Sequence, residues 1–132
     1  MTYKFIREPE SGLITVVALI DGEHRLKLIL DTGASYTTID SNMLYLTGYD
    51  IMDNVGSVLV ETASGIIETE LFDLEELQVF GITKSNFRIQ VYDFVAHGIV
   101  SDYNGLLGLD FFEGTKFCLD LDNHDISIQV KN

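Results

Sequence analysis

Leu28-Ile29-Leu30-Asp31-Thr32-Gly33-Ala34-Ser35 is the stretch that decides how this sequence reads. Three apolar residues run into a carboxylate, which is followed at once by a hydroxyl residue, a glycine and two more small residues. Taken alone, Asp-Thr-Gly is an ordinary turn, because Asp, Thr, Gly and Ser are common turn formers. The context argues for more. The aspartate sits directly on the end of a fully apolar half-strand, and everything just after it is small. An apolar floor desolvates a carboxyl group, and small residues let backbone approach it closely. Those are the conditions for a tuned acid or base.

Upstream, Leu13-Ile14-Thr15-Val16-Val17-Ala18-Leu19-Ile20 is β-branched and apolar on both faces, as in a well-buried strand. Asp21-Gly22 then supplies a tight turn, and the return strand alternates Arg25 and Lys27 against Leu26, Leu28 and Leu30. Residues 13–30 therefore read as a hairpin that delivers Asp31 at its end. Downstream, Ser41 to Leu46 reads as a short helix, with Asp40 or Ser41 as N-cap and Gly48 as its stop. A second hairpin turns near Ala63-Ser64-Gly65, between Val58-Leu59-Val60 and an arm starting at Ile66-Ile67. Phe87, Ile89 and Val91 alternate with Arg88, Gln90 and Tyr92. Phe117, Leu119 and Leu121 alternate with Cys118 and Asp120, and after a turn at Asn123, Ile126, Ile128 and Val130 share one face. Many short strands joined by turns point to a barrel or sandwich. With no repeat, linker or low-complexity tract, residues 1–132 read as a single domain.

Charge excludes several classes of function. Eight basic against 21 acidic residues give a formal net charge of −13, and no Lys/Arg cluster offsets it locally. Nucleic acid and anionic membrane are expected to be repelled rather than bound. The first ten residues are charged and lack the apolar stretch of a signal peptide, and no apolar run approaches the roughly 20 residues of a spanning helix. One cysteine, Cys118, permits no intrachain disulfide, so the expected location is a reducing compartment, the cytoplasm.

A second motif, Leu106-Leu107-Gly108-Leu109-Asp110-Phe111-Phe112, gains meaning from its order behind the first. Together with the hairpin around Thr62-Ala63-Ser64-Gly65, the two motifs resemble the retropepsin-like (retroviral-type) aspartic proteases, in the manner of a cellular or bacterial single-domain member. The resemblance runs from about Leu13 to Val130. It implies an all-β closed barrel with one or two short helices, homodimeric, and no cofactor or metal. By resemblance Asp31 is the catalytic carboxylate, and Thr32, Gly33, Ala34, Ser35 and Gly108 support it. Thr32 would reach across to the partner subunit's loop, Gly33 would bring its amide to the carboxylate, and Ser35 would offer its hydroxyl to the outer carboxylate oxygen. Thr62, Ala63, Ser64 and Gly65 would form a flap over a polypeptide substrate bound in extended conformation.

The chain departs from viral members, which carry an acidic residue and an arginine where Ser35 and Leu109 stand. Both partners of that ion pair are missing together, so no charge is stranded. Peptide hydrolysis by this chemistry needs two carboxyl groups sharing one proton, and no second Asp-Thr-Gly or Asp-Ser-Gly occurs. Asp31 from each chain of a C2 homodimer would complete the pair. A catalytically silent module of the same fold, binding an extended peptide or another protein, is the alternative, and a purely structural domain would need only the apolar strands.

Other residues read as structural. His24, His97 and His124 lack metal-ligand spacing, and Gly105-Leu106-Leu107-Gly108 lacks the Lys-Ser/Thr of a phosphate loop. Cys118 reads as a small core or interface residue, Asp73, Glu75 and Glu76 as a solvated face, and Asp110 as an acidic residue near a short helix's N-terminus.

Overall fold

The computed structural model describes residues 1–63, 65–99 and 102–131. Its strands are β1 (Thr2–Lys4), β2 (Ile6–Arg7), β3 (Ile14–Ile20), β4 (His24–Leu30), β5 (Thr38–Asp40), β6 (Gly56–Thr62), β7 (Gly65–Val79), β8 (Ile82–Tyr92), β9 (Gly105–Leu107), β10 (Thr115–Asp120) and β11 (Asp125–Val130). One α-helix, α1 (Ser41–Leu46), follows β5. Single 3-10 turns occupy Ile51–Asp53, Val95–His97 and Leu109–Phe112.

The expected barrel is present. β3 pairs with β4, β4 runs parallel to β9, β9 is antiparallel to β5, β5 is parallel to β8, and β8 is antiparallel to β7. The end of β7 then returns to β3, with Ala18 opposite Val79 and Ile20 opposite Leu77, which closes the ring. Leu28, Ile39, Phe72, Leu74, Ile89, Val91, Leu107 and Phe111 fill it and are excluded from solvent. Closure removes the unpaired edges that an open sheet would expose.

The hairpin expected over residues 13–30 forms as β3 and β4, with Asp21 (φ 53°) and Gly22 (φ 71°) in the left-handed conformation at its turn. Asp40, rather than Ser41, caps α1 through Asn42 N–H, and Gly48 follows the helix at φ 105°. The short helix expected after Leu107 is a 3-10 turn. The hairpin near residues 63–65 is β6 against the first half of β7, from Gly56↔Leu71 to Thr62↔Gly65. Ser64 lies outside the described residues.

Strand β7 belongs to two ladders. Its first half pairs with β6, and from Glu70 onward it pairs with β8. The buried positions along it change from Phe72 and Leu74 to Leu77 and Val79, so the strand rotates its face between residues 74 and 77. Asn86 faces this bend across the ladder with φ 50°. Asp21 clamps the bend: its backbone N–H donates to the Glu76 carbonyl, and its carboxylate accepts Glu76 N–H at 3.0 Å and the Tyr49 hydroxyl at 3.0 Å. Tyr49 in turn accepts Glu75 N–H, and burial, with the Asp21 carboxylate beside it, pushes the phenol up to about 12.

The termini make a separate antiparallel sheet in the order β1-β11-β10. Neither β1 nor β2 has a signal in the sequence; their partners are Ser127, Ile126 and Asp125 for β1, and Thr15 and Ile14 for β2. One expectation fails here and another is narrowed. Strand β10 ends at Asp120, whose carboxylate accepts the N–H groups of Asp122 and Asn123 and so starts the turn, leaving Leu121 47% exposed instead of continuing the apolar face. Of the two readings of Cys118, core or interface, exposure excludes the core, because its strand position alternates with the half-buried Phe117 and Leu119. No described helix is long and apolar enough to cross a membrane.

Gly105 lies where β9 passes β5, and a Cβ there would meet the Thr38 carbonyl oxygen and Ile39 Cα. Gly105→Ala is therefore expected to lower stability by about 1–3 kcal/mol, the range for overpacking a dense core. Urea unfolding of the two proteins measures it, and an unchanged midpoint would show that β5 and β9 are looser than described.

Candidate active site

Asp31 is placed by backbone pairing. Leu30 lies opposite Leu107 in the parallel β4–β9 ladder, and Asp31 N–H continues it by donating to the Leu107 carbonyl at 3.0 Å. The chain then turns: Ala34 N–H donates to the Asp31 carbonyl at 3.1 Å, and Gly33 N–H donates to Asp31 Oδ1 at 2.9 Å. A Cβ on Gly33 would stand 3.2 Å from that same oxygen, so the amide reaches the carboxylate because position 33 has no side chain. Asp31 is partly exposed, and Thr32 and Gly33 are exposed beside it.

Two expected contacts separate here. Gly33 makes the amide contact, whereas among the described residues no hydrogen bond joins the Ser35 hydroxyl to Asp31. Ser35 is exposed, and its carbonyl accepts Asp110 N–H at 3.2 Å.

Gly108 is where the second motif meets the first. A Cβ on it would come within 2.7 Å of the Tyr36 carbonyl carbon and 2.9 Å of the Ala34 oxygen, so only glycine allows the 3-10 turn to lie against the Asp31 loop. Leu109 N–H donates to the Ala34 carbonyl at 2.8 Å. Gly108 N–H donates to the Thr37 hydroxyl at 3.1 Å, and that hydroxyl donates to Asp110 Oδ1 at 2.8 Å. Thr37 N–H also reaches the Asp110 carboxylate, as does Phe111 N–H. This Thr37–Asp110 link had no sequence signal, since the two residues stand 73 positions apart.

The loop and the β6–β7 hairpin enclose a groove of about 480 Å³. Gly33, Ala34 and Ser35 line one side, and Val58, Val60 and Thr62 line the other. Thr62 Oγ1 donates to the Gly65 carbonyl at 2.8 Å across the hairpin end, and Ala63 is exposed there. A second hollow, about 440 Å³, shares Tyr36, Val58 and Gln90 with the first, so the depression continues past Tyr36 toward Arg88 and Asp110. Arg88 is held there by both carboxylate oxygens of Asp73, at 2.9 and 3.1 Å, and that pairing lowers Asp73. A larger concavity, about 620 Å³, lies by the terminal sheet at Met1, Tyr3, Gly81, Lys116 and Cys118, and contains none of the expected site residues.

Four other aspartates of the chain are held by partners of their own. Asp102 pairs with Lys27 at 3.1 Å, Asp110 is bound by Thr37, Asp120 holds its own turn, and Asp40 caps α1. Among the described residues no cluster of His, Cys, Asp or Glu has the arrangement of a metal site.

Burial raises Asp110 above the usual carboxylate range, against the lowering effect of its bonds to Thr37 and Phe111. A carboxyl raised in the folded state binds its proton more tightly there than in the unfolded chain. Its contribution to stability is thus complete below the unfolded value and lost as pH rises through the folded one. Relative to Asp110→Asn, the wild type is expected to lose stability as pH rises from the unfolded carboxyl value through the raised folded one. Chemical unfolding at several pH values measures this, and a difference independent of pH would contradict the burial of the group.

Residues 16–111 match the family model described as aspartyl protease. Among solved structures, a retropepsin-like aspartic protease from Rickettsia conorii superposes with a TM-score of 0.70 at 20% sequence identity, covering 100% of this chain and 94% of that one. A search of curated protein sequences found no match. The structural likeness carries the fold, and the sequence match extends over most of the chain from β3 to the 3-10 turn behind Gly108. The chain belongs to the aspartyl protease family and has a retropepsin-like fold.

Proposed function

We propose that the protein is an aspartic endopeptidase that acts as a homodimer, with Asp31 of each chain at the two-fold axis. The observation that carries this is the Asp31 carboxylate, fixed by Gly33 N–H on a loop that borders a groove under a β-hairpin. One carboxylate accepts a proton from water as it attacks the peptide carbonyl, and the other, protonated, donates to the carbonyl oxygen. Two carboxyl groups about 3 Å apart cannot both ionise, so the pair holds one proton between them. No covalent intermediate or cofactor is required.

The commitment of Asp40, Asp102, Asp110 and Asp120 to other partners supports a second chain as the source of the second carboxylate. Thr32, exposed next to Asp31, is free of the barrel and available to a facing loop. The groove has room for an extended peptide, and the hairpin end at Thr62, Ala63 and Gly65 would lie over it as a lid. A silent peptide-binding module is the second reading, and the held carboxylate of Asp31 speaks against it, because strand addition alone has no use for a positioned acid.

Cleavage of an unstructured polypeptide by wild type and Asp31→Asn is the direct test. General acid–base loss is expected to lower turnover by about 10²–10⁴-fold, and a hydroxyl-bearing transition-state mimic should inhibit the wild type. Equal turnover by both proteins would exclude the aspartic mechanism.

Assembly is testable separately. Each chain carries a formal −13, so two chains repel, and added salt should shift sedimentation from monomer toward dimer. A fully active protein that sediments only as monomer would overturn the homodimer.

A further inference from the structure

We propose that Thr37 and Asp110 are a positioning pair for the Asp31 loop, and that Asp110 acts through one oxygen, Oδ1, rather than through its charge. The proposal rests on the assignment of Asp31 as the catalytic carboxylate.

Oδ1 is a three-way acceptor. Thr37 N–H reaches it at 2.9 Å, the Thr37 hydroxyl at 2.8 Å and Phe111 N–H at 2.9 Å. Oδ2 receives only a second leg of Thr37 N–H, at 3.0 Å. The Thr37 hydroxyl spends its proton on Asp110 and uses a lone pair to accept Gly108 N–H at 3.1 Å. A single hydroxyl therefore joins the glycine of the second motif to its aspartate, across the end of the first motif.

The loop consequently docks at both ends and in the middle. At its start, Asp31 N–H is held by the Leu107 carbonyl. In the middle, the Ala34 and Ser35 carbonyls accept from Leu109 and Asp110. At its far end, Thr37 is bound by Asp110 and Gly108, while its carbonyl accepts Gln90 N–H at 3.0 Å from β8. Gly108 is packed against Tyr36 and Ala34 with no space for a Cβ, so the separation of loop and turn is fixed on that side too. Removing the Thr37–Asp110 connection would free the loop's far end while leaving the barrel strands paired.

Three donors converge on an oxygen that an amide supplies as well as a carboxylate does. Asp110→Asn should keep the contacts, whereas Asp110→Ala removes them. Thr37→Ser keeps the hydroxyl, whereas Thr37→Val keeps the shape and loses it. Displacement of a reacting group by about 1 Å can cost about 10²-fold in rate, so Asp110→Ala and Thr37→Val are expected to lower kcat by about that factor with KM nearly unchanged. Asp110→Asn and Thr37→Ser should recover most of the lost kcat.

The same four variants are read without turnover by amide hydrogen exchange at Gly33 and Ala34, expected to be faster in the Ala and Val variants than in the Asn and Ser variants. Wild-type kcat and exchange in Thr37→Val overturn the positioning pair, and Thr37→Val stands as the arbiter if Asp110→Ala does not fold. Equal losses in Asp110→Asn and Asp110→Ala overturn the role of the oxygen and return it to charge. Faster exchange in the Ala and Val variants, in a protein whose wild type and Asp31→Asn cleave equally, would support the pair while sinking the catalytic assignment.

Discussion

The parallel ladder between β4 and β9 is the constraint on which the rest depends. Leu28, Ile29 and Leu30 pair with Gly105, Leu106 and Leu107, segments more than 70 residues apart that no hairpin can bring together. Parallel strands need a long crossover, and here it includes β5, α1, the long hairpin and β8. Its return sets Asp31 beside Leu107 and lets Gly108 slide under the loop. Without that ladder the Asp-Thr-Gly sequence would be a turn at the end of a hairpin, with nothing behind it. Gly105, at the start of the ladder, and Gly108, just past its end, are places where backbone comes too close to backbone for a side chain.

Local signals in the sequence carried the local structure. The β3–β4 hairpin, the helix between its Asp40 cap and Gly48, and the hairpin end at residues 63–65 all follow from turn chemistry and periodicity. What failed depended on partners distant in sequence. β1 and β2 are two or three residues long and exist because β11 and β3 present free edges to them. Leu121 fits the alternation on paper, but the carboxylate of Asp120 ends the strand first. Asp31, Gly33 and Gly108 were legible because a contiguous motif names each of them. Thr37 carried no signal, and Asp110 read as a helix-end acid, until the fold put the two against each other.

Electrostatically, the protein spreads its negative charge over separate local arrangements. Asp21 holds a strand bend, Asp40 a helix start, Asp120 a turn, and Asp73 an arginine. Each accepts N–H or guanidinium donors, which is how a carboxylate stays useful in a chain with so few cations to pair with. Lys27 is shared by two acids, at 2.9 Å from Glu8 and 3.1 Å from Asp102, and both raise it. It lies on β4 four residues before Asp31, tying the segments that flank β3 and β9 to the strand that carries the carboxylate.

Strand β7 spans 15 residues and serves the hairpin with one half and the barrel wall with the other. Hairpin and wall are therefore one beam, with the two ladders overlapping at Glu70 and Leu71. A beam that bends at one end loads the other, so tilting the hairpin strains the pairing of Phe72 and Leu74 inside the barrel. Selection on how the hairpin moves and selection on how firmly the barrel holds would then act on the same peptide bonds. The two properties cannot drift apart as freely as they could if a flexible joint lay between them.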